Sequence, residues 1–274
     1  MTIEAANGEV TIDDRPTRIV SLSPTATEML FAIGAGEQVE AVDDNSNYPP
    51  EAPTSDLSGF EPNAEAIAGF DPDLVVISYS TGEIEEALAA VDIPVLLLSA
   101  ATTLDDTYEQ IEQLGLATGH QAEAAAVVSS MQSRIEELVE AAPEFQDPVT
   151  YYHELDPTFF TTTSATFIGQ IYDLVGLENI ADAAAAGAPD YPQLSAEYIV
   201  DADPDLIFLA DTKCCGQSLE TIADRPGWDQ MSAVENGAVV ELDDDVASRW
   251  GPRVVELLAT VVEALEEFEQ VLGQ

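Results

Sequence analysis

The strongest constraint on the fold is a segment that occurs twice. Residues 63–77 and 195–209 lie 132 positions apart, and seven of their fifteen positions are identical. Each copy starts with a good helix N-cap residue and continues through a short helical stretch to an Asp-Pro-Asp sequence, where proline disfavours further helix. A continuous aliphatic run follows, typical of a strand buried on both faces of a parallel sheet. Two such segments, one in each half, predict two α/β lobes of similar plan.

Other apolar runs alternate with helical patterns, which favours βα units and Rossmann-like lobes with parallel sheets. The expected strands are residues 19–22, 39–42, 74–77 and 95–98 in the first half and 149–152, 206–209 and 239–242 in the second. A final amphipathic helix is expected at residues 252–272.

The stretch between the two halves has a helical pattern of its own. Residues 104–142 contain no proline and carry an apolar stripe at helical spacing. They predict a single long α-helix of about 50 Å, at 1.5 Å per residue. This gives an N-terminal lobe at 1–102, a connecting helix at 103–143 and a C-terminal lobe at 144–274. Two shorter helices, broken near Gly119, are the alternative.

Charge excludes one large class of function. The chain has 53 acidic and 7 basic residues, a formal net charge of −46. Because neutralising phosphates requires clustered Lys and Arg, a nucleic-acid partner is not expected. An acidic surface with one lysine is typical of proteins from high-salt habitats, and it bears on solubility rather than on fold.

Membrane segments and cysteines add two further constraints. No apolar run reaches the roughly 18 residues of a membrane span, and the first ten residues lack the apolar stretch of a signal peptide. The protein is therefore cytosolic, or an export segment is absent from this chain. The two cysteines, Cys214 and Cys215, are adjacent, which suits neither a disulfide framework nor a zinc site. They form a vicinal disulfide or stay reduced.

Several motifs in fixed order carry a resemblance to a known family. They are residues 18–28, the Asn47-Tyr-Pro-Pro50 loop, the two Pro-Asp-Leu segments and Gly251-Pro-Arg253. In order and spacing, the chain from about residue 15 to the last helix resembles the cobalamin, ferric-siderophore and haem binding proteins of ABC importers. The resemblance implies two lobes joined by one rigid helix, with a ligand cleft between them, and transport rather than catalysis.

The resemblance also implies a partner, the permease dimer of an ABC importer. In the family, one glutamate on each lobe pairs with permease arginines, and the matching residues are Glu65 and Glu197. Arg–carboxylate pairs are directional, so two of them orient a docked protein. An acidic residue in a first helical turn also stabilises the helix dipole by itself, which is the alternative role.

Ligands of this family are large, so we expect aromatic faces and a few polar groups on loops that follow strands. Phe60 is close to where cobalamin binders carry an aromatic residue. Asp245 and Arg249 match ligand-contacting positions of those proteins, although local pairing of Arg249 is the alternative. Trp250 follows directly, where the family pattern differs. The expected ligand-binding residues are Ser23, Pro24, Tyr48, Phe60, Tyr79, Phe160, Asp245, Arg249 and Trp250.

Three of these expectations have simpler alternatives. The turn at Ser23 and Pro24 either offers free N–H groups to the ligand or only caps a helix. Tyr48 either stacks on a flat ligand or packs its loop. In the second lobe, one phenylalanine of residues 159–160 should face the ligand and the other the core.

Rival functions lack the residues they need. The chain has no Gly-x-Ser-x-Gly turn, no phosphate-binding glycine loop and only two histidines, so we expect no enzyme, no resident cofactor and no metal site. A haem receptor with Tyr48, Tyr79, Tyr152 or His153 as axial ligand stays open.

The expected ligand is a metal chelate, with cobalamin favoured because a neutral corrinoid suits an acidic chain. A ferric-siderophore or haem receptor of the same fold is the first alternative, and a cytosolic corrinoid-binding module without a permease is the second. We expect a monomer in the periplasm or on the cell surface, secreted or lipid-anchored as a longer precursor.

Overall fold

The computed structural model describes residues 1–80, 82–184 and 190–273. Contacts divide the chain into two compact units. The first unit comprises Met1–Gln132 and Trp250–Pro252, and the second comprises Ser133–Arg249 and the segment that begins at Arg253. The division falls within a helix, not at either end of the predicted connecting helix.

The first unit combines a terminal hairpin with a parallel sheet and its helices. Its strands are β1 (Thr2–Ala5), β2 (Gly8–Thr11), β3 (Ile19–Leu22), β4 (Val39–Val42), β5 (Leu74–Ile77) and β6 (Val95–Leu97). Its helices are α1 (Pro24–Ala32), α2 (Ala64–Ala68), α3 (Glu83–Ala89) and α4 (Leu104–Thr118), and α5 (Gln121–Ala141) crosses into the second unit. β3 and β5 are buried along their whole length, as expected of central parallel strands.

The second unit has the same composition without the hairpin. Its strands are β7 (Thr150–Glu154), β8 (Glu178–Asn179), β9 (Leu206–Leu209) and β10 (Val239–Glu241). Its helices are α6 (Phe167–Asp173), α7 (Ile180–Ala184), α8 (Ala196–Ala202), α9 (Thr212–Cys215), α10 (Leu219–Ala223), α11 (Ser232–Glu235), α12 (Asp244–Ser248) and α13 (Val254–Leu272). The central strands β7 and β9 are again almost wholly buried.

The two parallel sheets have the same strand order. The first runs β4-β3-β5-β6 and the second β10-β9-β7-β8. Read from its other end, the second sheet is β8-β7-β9-β10. When only the strands of the parallel sheet are counted along the chain, both orders are then second, first, third, fourth. The prediction of two α/β lobes with parallel sheets is confirmed, and β1, β2 and β8 were not predicted.

The two copies of the repeated segment make equivalent hydrogen bonds. Asn63 and Ser195 cap α2 and α8 as expected. The carboxylates of Asp73 and Asp205 then each accept hydrogen bonds from the backbone N–H and the hydroxyl of a threonine. These are Thr17, just before β3, and Thr150, the first residue of β7.

The prediction of a single connecting helix is wrong. α4 ends at Gly119, whose φ of +75° is a left-handed conformation that glycine adopts without strain. A side chain at Gly115 would collide with Ala124, so the two helices approach closely just beyond the break. The alternative of two helices broken near Gly119 is the one observed.

Candidate functional site

The candidate residues lie on loops that leave the carboxyl ends of the parallel strands. In each sheet the second and third strands lie on opposite sides of the first, so the chain leaves the first and third strands in different directions. Ligands of open α/β sheets gather at this topological switch point. We call residues 23–25, 43–63 and 78–80 the first carboxyl edge and residues 155–166, 211–217 and 243–249 the second carboxyl edge.

Ser23 and Pro24 open α1 directly after β3. The Ser23 hydroxyl accepts a hydrogen bond of 3.2 Å from the Ala26 N–H, and the residue is only 1% exposed. Pro24 occupies the start of the helix, where its fixed φ is favourable. The Ser23 side chain therefore serves as a cap, and ligand contact by this helix end stays a prediction.

Buried hydroxyl groups lie beneath the first carboxyl edge. The Thr27 hydroxyl bonds the hydroxyls of Ser21 and Ser46, each at 2.9 Å, and Ser46 also donates to Asp43. Burial raises the pKa of Asp43. Sequence reasoning missed this network, because its members are spread over β3, α1 and the loop after β4.

Three aromatic side chains are exposed on the first carboxyl edge. Tyr48 is 40% exposed, Phe60 76% and Tyr79 57%. Phe60 and Tyr79 line a common cavity of about 300 Å³. Exposed aromatic clusters are uncommon on soluble proteins and mark binding surfaces, so these predicted residues remain the best apolar candidates.

Gly59 fixes the position of Phe60. A Cβ atom at Gly59 would lie 2.9 Å from the carbonyl oxygen of Leu22 and 3.1 Å from a carboxylate oxygen of Asp43. Only glycine permits this approach of the loop to the end of β3. The loop therefore holds the Phe60 side chain beside the carboxyl end of the first strand.

The two adjacent phenylalanines on the second carboxyl edge differ in exposure, while ligand contact by either one stays a prediction. Phe159 stacks on Trp228 with ring centroids 5.8 Å apart, and it packs against the core of the second unit. Phe160 is 39% exposed. Phe160 is thus the one whose ring is accessible to a ligand.

Asp245 and Arg249 form an ion pair. The Arg249 guanidinium lies 2.7 Å from Asp245 Oδ1, one helical turn away, and the Arg249 side chain is 9% exposed. Local pairing, the alternative to ligand contact, is therefore present. Trp250 belongs to the first unit, where its indole N–H donates to Gln110 at 2.9 Å.

The second carboxyl edge also holds the cysteines and the only lysine. Cys214 and Cys215 are paired as a disulfide at the end of α9. The Lys213 ammonium lies 2.6 Å from Asp243 and 3.1 Å from Asp245. The hydrogen bond to Asp243 is the main cause that raises the pKa of Lys213.

A buried charge cluster at the end of β7 and β9 was missed from the sequence. Arg225 donates two hydrogen bonds, of 2.7 and 2.6 Å, to the fully buried carboxylate of Glu154, and its guanidinium lies 4.5 Å from the Trp228 ring. The buried Asp211 carboxylate has no hydrogen-bond partner among the described residues. Burial, with the Glu154 carboxylate beside it, raises the pKa of Asp211 to about 7. The available signal was an acidic residue at the end of one apolar strand and another just after a second one.

Two of the four candidate haem ligands are ruled out by burial. His153 is fully buried, its Nδ1 lies 2.8 Å from the Tyr172 hydroxyl, and burial lowers its pKa to about 3. Tyr152 is also fully buried and bonds Glu154. Of the four candidates, Tyr48 and Tyr79 are the two whose side chains are exposed.

Glu65 and Glu197 occupy equivalent, exposed positions. Each is the second residue of a short helix, α2 or α8, that follows an N-cap. Their placement suits both a contact with a partner and an interaction with the helix dipole.

Residues 1–80, 82–184 and 190–273 contain neither a metal-ligating cluster nor a helix suited to cross a membrane. No group of three or more His, Cys, Asp or Glu side chains in these ranges is arranged to hold a metal ion. None of their helices combines the length and the apolar character that a membrane crossing requires.

A family model and individual relatives among known proteins agree on the family of this chain. Residues 19–246 match the model of the family described as periplasmic binding protein. An uncharacterized ABC transporter substrate-binding lipoprotein of Bacillus subtilis is 31% identical over 272 residues, covering 96% of this chain and 84% of the relative. A cobalamin-binding protein of Halobacterium salinarum is 31% identical over 270 residues, covering 95% of this chain and 72% of the relative.

A solved structure agrees with the sequence relatives. The periplasmic vitamin B12 binding protein of Vibrio cholerae superposes with a TM-score of 0.74 and 25% identity, covering 93% of this chain and 98% of the other. The fold, the family match and the identity over nearly the whole chain lead to one assignment. This chain belongs to the periplasmic binding protein family.

Proposed function

We propose that this chain is the substrate-binding component of an ABC importer and that its ligand is cobalamin, which it binds without chemical change. The observation that carries the proposal is the set of exposed aromatic side chains on the first carboxyl edge, Tyr48, Phe60 and Tyr79. A corrinoid offers large apolar faces on which such rings stack. Relatives named as cobalamin or vitamin B12 binding proteins support the same ligand.

The charges of the second carboxyl edge also favour a ligand with little net charge. Arg249 and Lys213 are both engaged by carboxylates, and the chain as a whole carries −46. An anionic ferric siderophore would have to compete with these carboxylates for each cation. Haem has one observation in its favour, since Tyr48 and Tyr79 are exposed and phenolate oxygen is a known iron ligand.

A titration with cyanocobalamin, haemin and a panel of ferric siderophores, at one fixed high salt concentration, tests the ligand. We expect cyanocobalamin to bind with a dissociation constant at or below about 1 μM, roughly −8 kcal/mol. Quenching of tryptophan fluorescence and corrinoid absorbance are the readouts. Saturable binding of haemin alone, with a tyrosinate–iron absorption band, would replace cobalamin by haem.

We propose that Glu65 and Glu197 contact the permease. Both are exposed and occupy equivalent positions in the repeat. Reversing both to lysine should abolish uptake in cells that carry the cognate permease, while ligand affinity in solution stays within about twofold, a change of about 0.4 kcal/mol. Uptake at the unaltered rate would refute the docking role.

The matched control reverses two other exposed glutamates, Glu86 on α3 and Glu266 on α13. The double reversal alters net charge by the same amount and should leave uptake unchanged. It also separates docking from the general effect of charge on encounter rates.

An extracytoplasmic location is part of the proposal. Relatives include a substrate-binding lipoprotein and a periplasmic protein. Fractionation of cells that express the complete gene, with palmitate labelling, would distinguish a lipid-anchored receptor from a secreted one. Recovery in the cytosol, with no associated permease, would favour the corrinoid-binding module instead.

A further inference from the structure

The turn at residues 211–217 carries the only two cysteines and the only lysine of the chain. α9 makes a single helical turn, closed by hydrogen bonds from the Cys215 N–H to Asp211 and from the Gly216 N–H to Thr212. Gly216 has a φ of +68° and ends the turn. Cys214 and Cys215 are both exposed, so a reductant can reach the disulfide between them.

One carboxylate ties this turn to the loop at residues 243–249. Asp244 accepts hydrogen bonds from the N–H of Lys213 at 3.0 Å and from the N–H of Cys214 at 2.9 Å. It also accepts the Thr212 hydroxyl at 2.9 Å. The backbone that the disulfide constrains is therefore the backbone that Asp244 holds.

The same turn places the lysine against the expected ligand-contacting pair. The Lys213 ammonium donates to Asp243 at 2.6 Å and to Asp245 at 3.1 Å. The other oxygen of Asp245 accepts from Arg249 at 2.7 Å. Asp245 is thus shared by two cations, and the position of Lys213 affects how strongly Arg249 is held.

We propose that the Cys214–Cys215 disulfide is a redox-sensitive positioning element of the ligand-contacting loop, which holds Lys213 on Asp245. Because the cysteines are adjacent, the disulfide closes a small covalent ring that includes their shared peptide bond. Opening this ring frees the backbone at the point where Asp244 accepts its two N–H bonds. Lys213 then withdraws from Asp245, Asp245 pairs more fully with Arg249, and the loop binds ligand less tightly.

The redox step needs a dithiol of low potential. A thiolate of the dithiol attacks one sulfur, the bond between the two cysteine sulfurs breaks, and a mixed disulfide forms. The second thiolate of the reductant displaces the remaining cysteine sulfur. Two electrons and two protons pass to Cys214 and Cys215, and the reductant leaves as a cyclic disulfide.

The single lysine provides a direct structural readout. Protein labelled with ¹⁵N-lysine gives one backbone amide signal, from Lys213, because the sequence contains no other lysine. On reduction with dithiothreitol we expect this signal to move and its exchange with water to accelerate, as the hydrogen bond to Asp244 is lost. An unchanged amide signal in fully reduced protein, with reduction verified by intact mass, overturns the proposal.

The affinity arm rests on the proposed function and is measured separately. Reduced protein is freed of reductant without oxygen and titrated with cyanocobalamin beside the oxidised protein. We expect the dissociation constant to rise about tenfold on reduction, equivalent to about 1.4 kcal/mol. Equal affinity of the two forms overturns the proposal and leaves the proposed function intact. Failure of the oxidised form to bind any of the chelates defeats the proposed function, and the Lys213 signal then decides whether the disulfide holds the turn.

Two variants separate positioning from general loss of structure. Cys214→Ser with Cys215→Ser should behave as reduced protein whether or not reductant was present. Lys213→Gln, with its disulfide intact, should weaken binding by the same factor as reduction, and reducing this variant should add little, because the two changes act through one contact. Additive effects of Lys213→Gln and reduction would contradict a path through Lys213.

Discussion

The two carboxyl edges have the same strand order but opposite chemistry. We call the first the aromatic edge, because it presents the exposed rings of Tyr48, Phe60 and Tyr79 above buried hydroxyl groups. We call the second the ionic edge, because it holds Lys213 and Arg249 and contacts Arg225 through Gln217, and these are three of the seven basic residues of the chain. Because the frame is common to both, the chemistry of each edge is set mainly by its loops, as is usual for function on a shared fold.

Removing the Arg225 charge should produce the largest effect, in the ionic edge. Arg225→Met keeps an apolar stem against Trp228 but leaves Glu154 and Asp211 buried without a cation. Breaking a buried pair at one partner costs about 3–5 kcal/mol, so the free energy of unfolding should fall by that amount. Guanidinium unfolding followed by fluorescence and circular dichroism measures it.

The control is an arginine in an exposed pair. Arg134 and Glu137 are 53% and 66% exposed, three residues apart on α5. Arg134→Met should change the free energy of unfolding by less than about 0.5 kcal/mol. Equal losses for the two variants would mean that the cluster around Arg225 has no special weight.

Ionisation of Asp211, in the ionic edge, should make the free energy of unfolding depend on pH. Its pKa is about 7 in the folded protein against an ordinary value of 3.8, so the folded protein keeps a proton that the unfolded chain has lost. Stability from this group is complete below pH 3.8 and is lost as the pH rises toward 7. Asp211→Asn cannot ionise, so its advantage in unfolding free energy should grow across that window by up to about 4 kcal/mol, at about 1.4 kcal/mol per pKa unit.

Urea unfolding of the wild type and Asp211→Asn at a series of pH values, at fixed ionic strength, measures the difference directly. Taking the difference cancels the contribution of the many surface carboxylates, which titrate in both proteins. Parallel curves for the two proteins would show that Asp211 ionises normally.

The sequence predicted the frame well because its signals are local. Apolar runs, the caps at Asn63 and Ser195 and the Asp-Pro-Asp breaks each act within a few residues. The charge cluster could not be found in this way, because Glu154 and Arg225 are 71 residues apart and meet only after the sheet forms.

The prediction of a single connecting helix was wrong for a different reason. Glycine is tolerated inside a helix and also ends one, so Gly119 left both outcomes open. What decides between them is the packing of Gly115 against Ala124, which depends on tertiary structure.

The aromatic edge should contribute to binding and not to folding. Phe60→Ala with Tyr79→Ala removes two exposed rings that line one cavity. Since stacked rings contribute about 0.5–1.5 kcal/mol each, affinity for cyanocobalamin should fall about 10- to 100-fold. Val91→Ser is the matched control, because Val91 is 56% exposed and precedes β6, at the opposite edge of the same sheet. Unchanged affinity in the double variant would remove the main support for the proposed site.

The smallest effect should come from the acid that the aromatic edge buries. Asp43 is 3% exposed like the acids of the ionic edge, and burial raises its pKa, but Ser46 donates to its carboxylate and offsets part of that rise. Asp43→Asn gives up that charge-assisted bond and also relieves the desolvation of the carboxylate. The two effects oppose each other, so the free energy of unfolding at pH 8 should change by less than about 1 kcal/mol. The sign separates the two edges, since Asp211→Asn should stabilise the protein at this pH and Asp43→Asn should not. Urea unfolding of both variants at pH 5 and pH 8 makes the comparison. Equal stabilisation by the two substitutions would show that burial alone sets the effect of each acid on the free energy of unfolding. The hydroxyl partner of Asp43 and the carboxylate beside Asp211 would then have no influence.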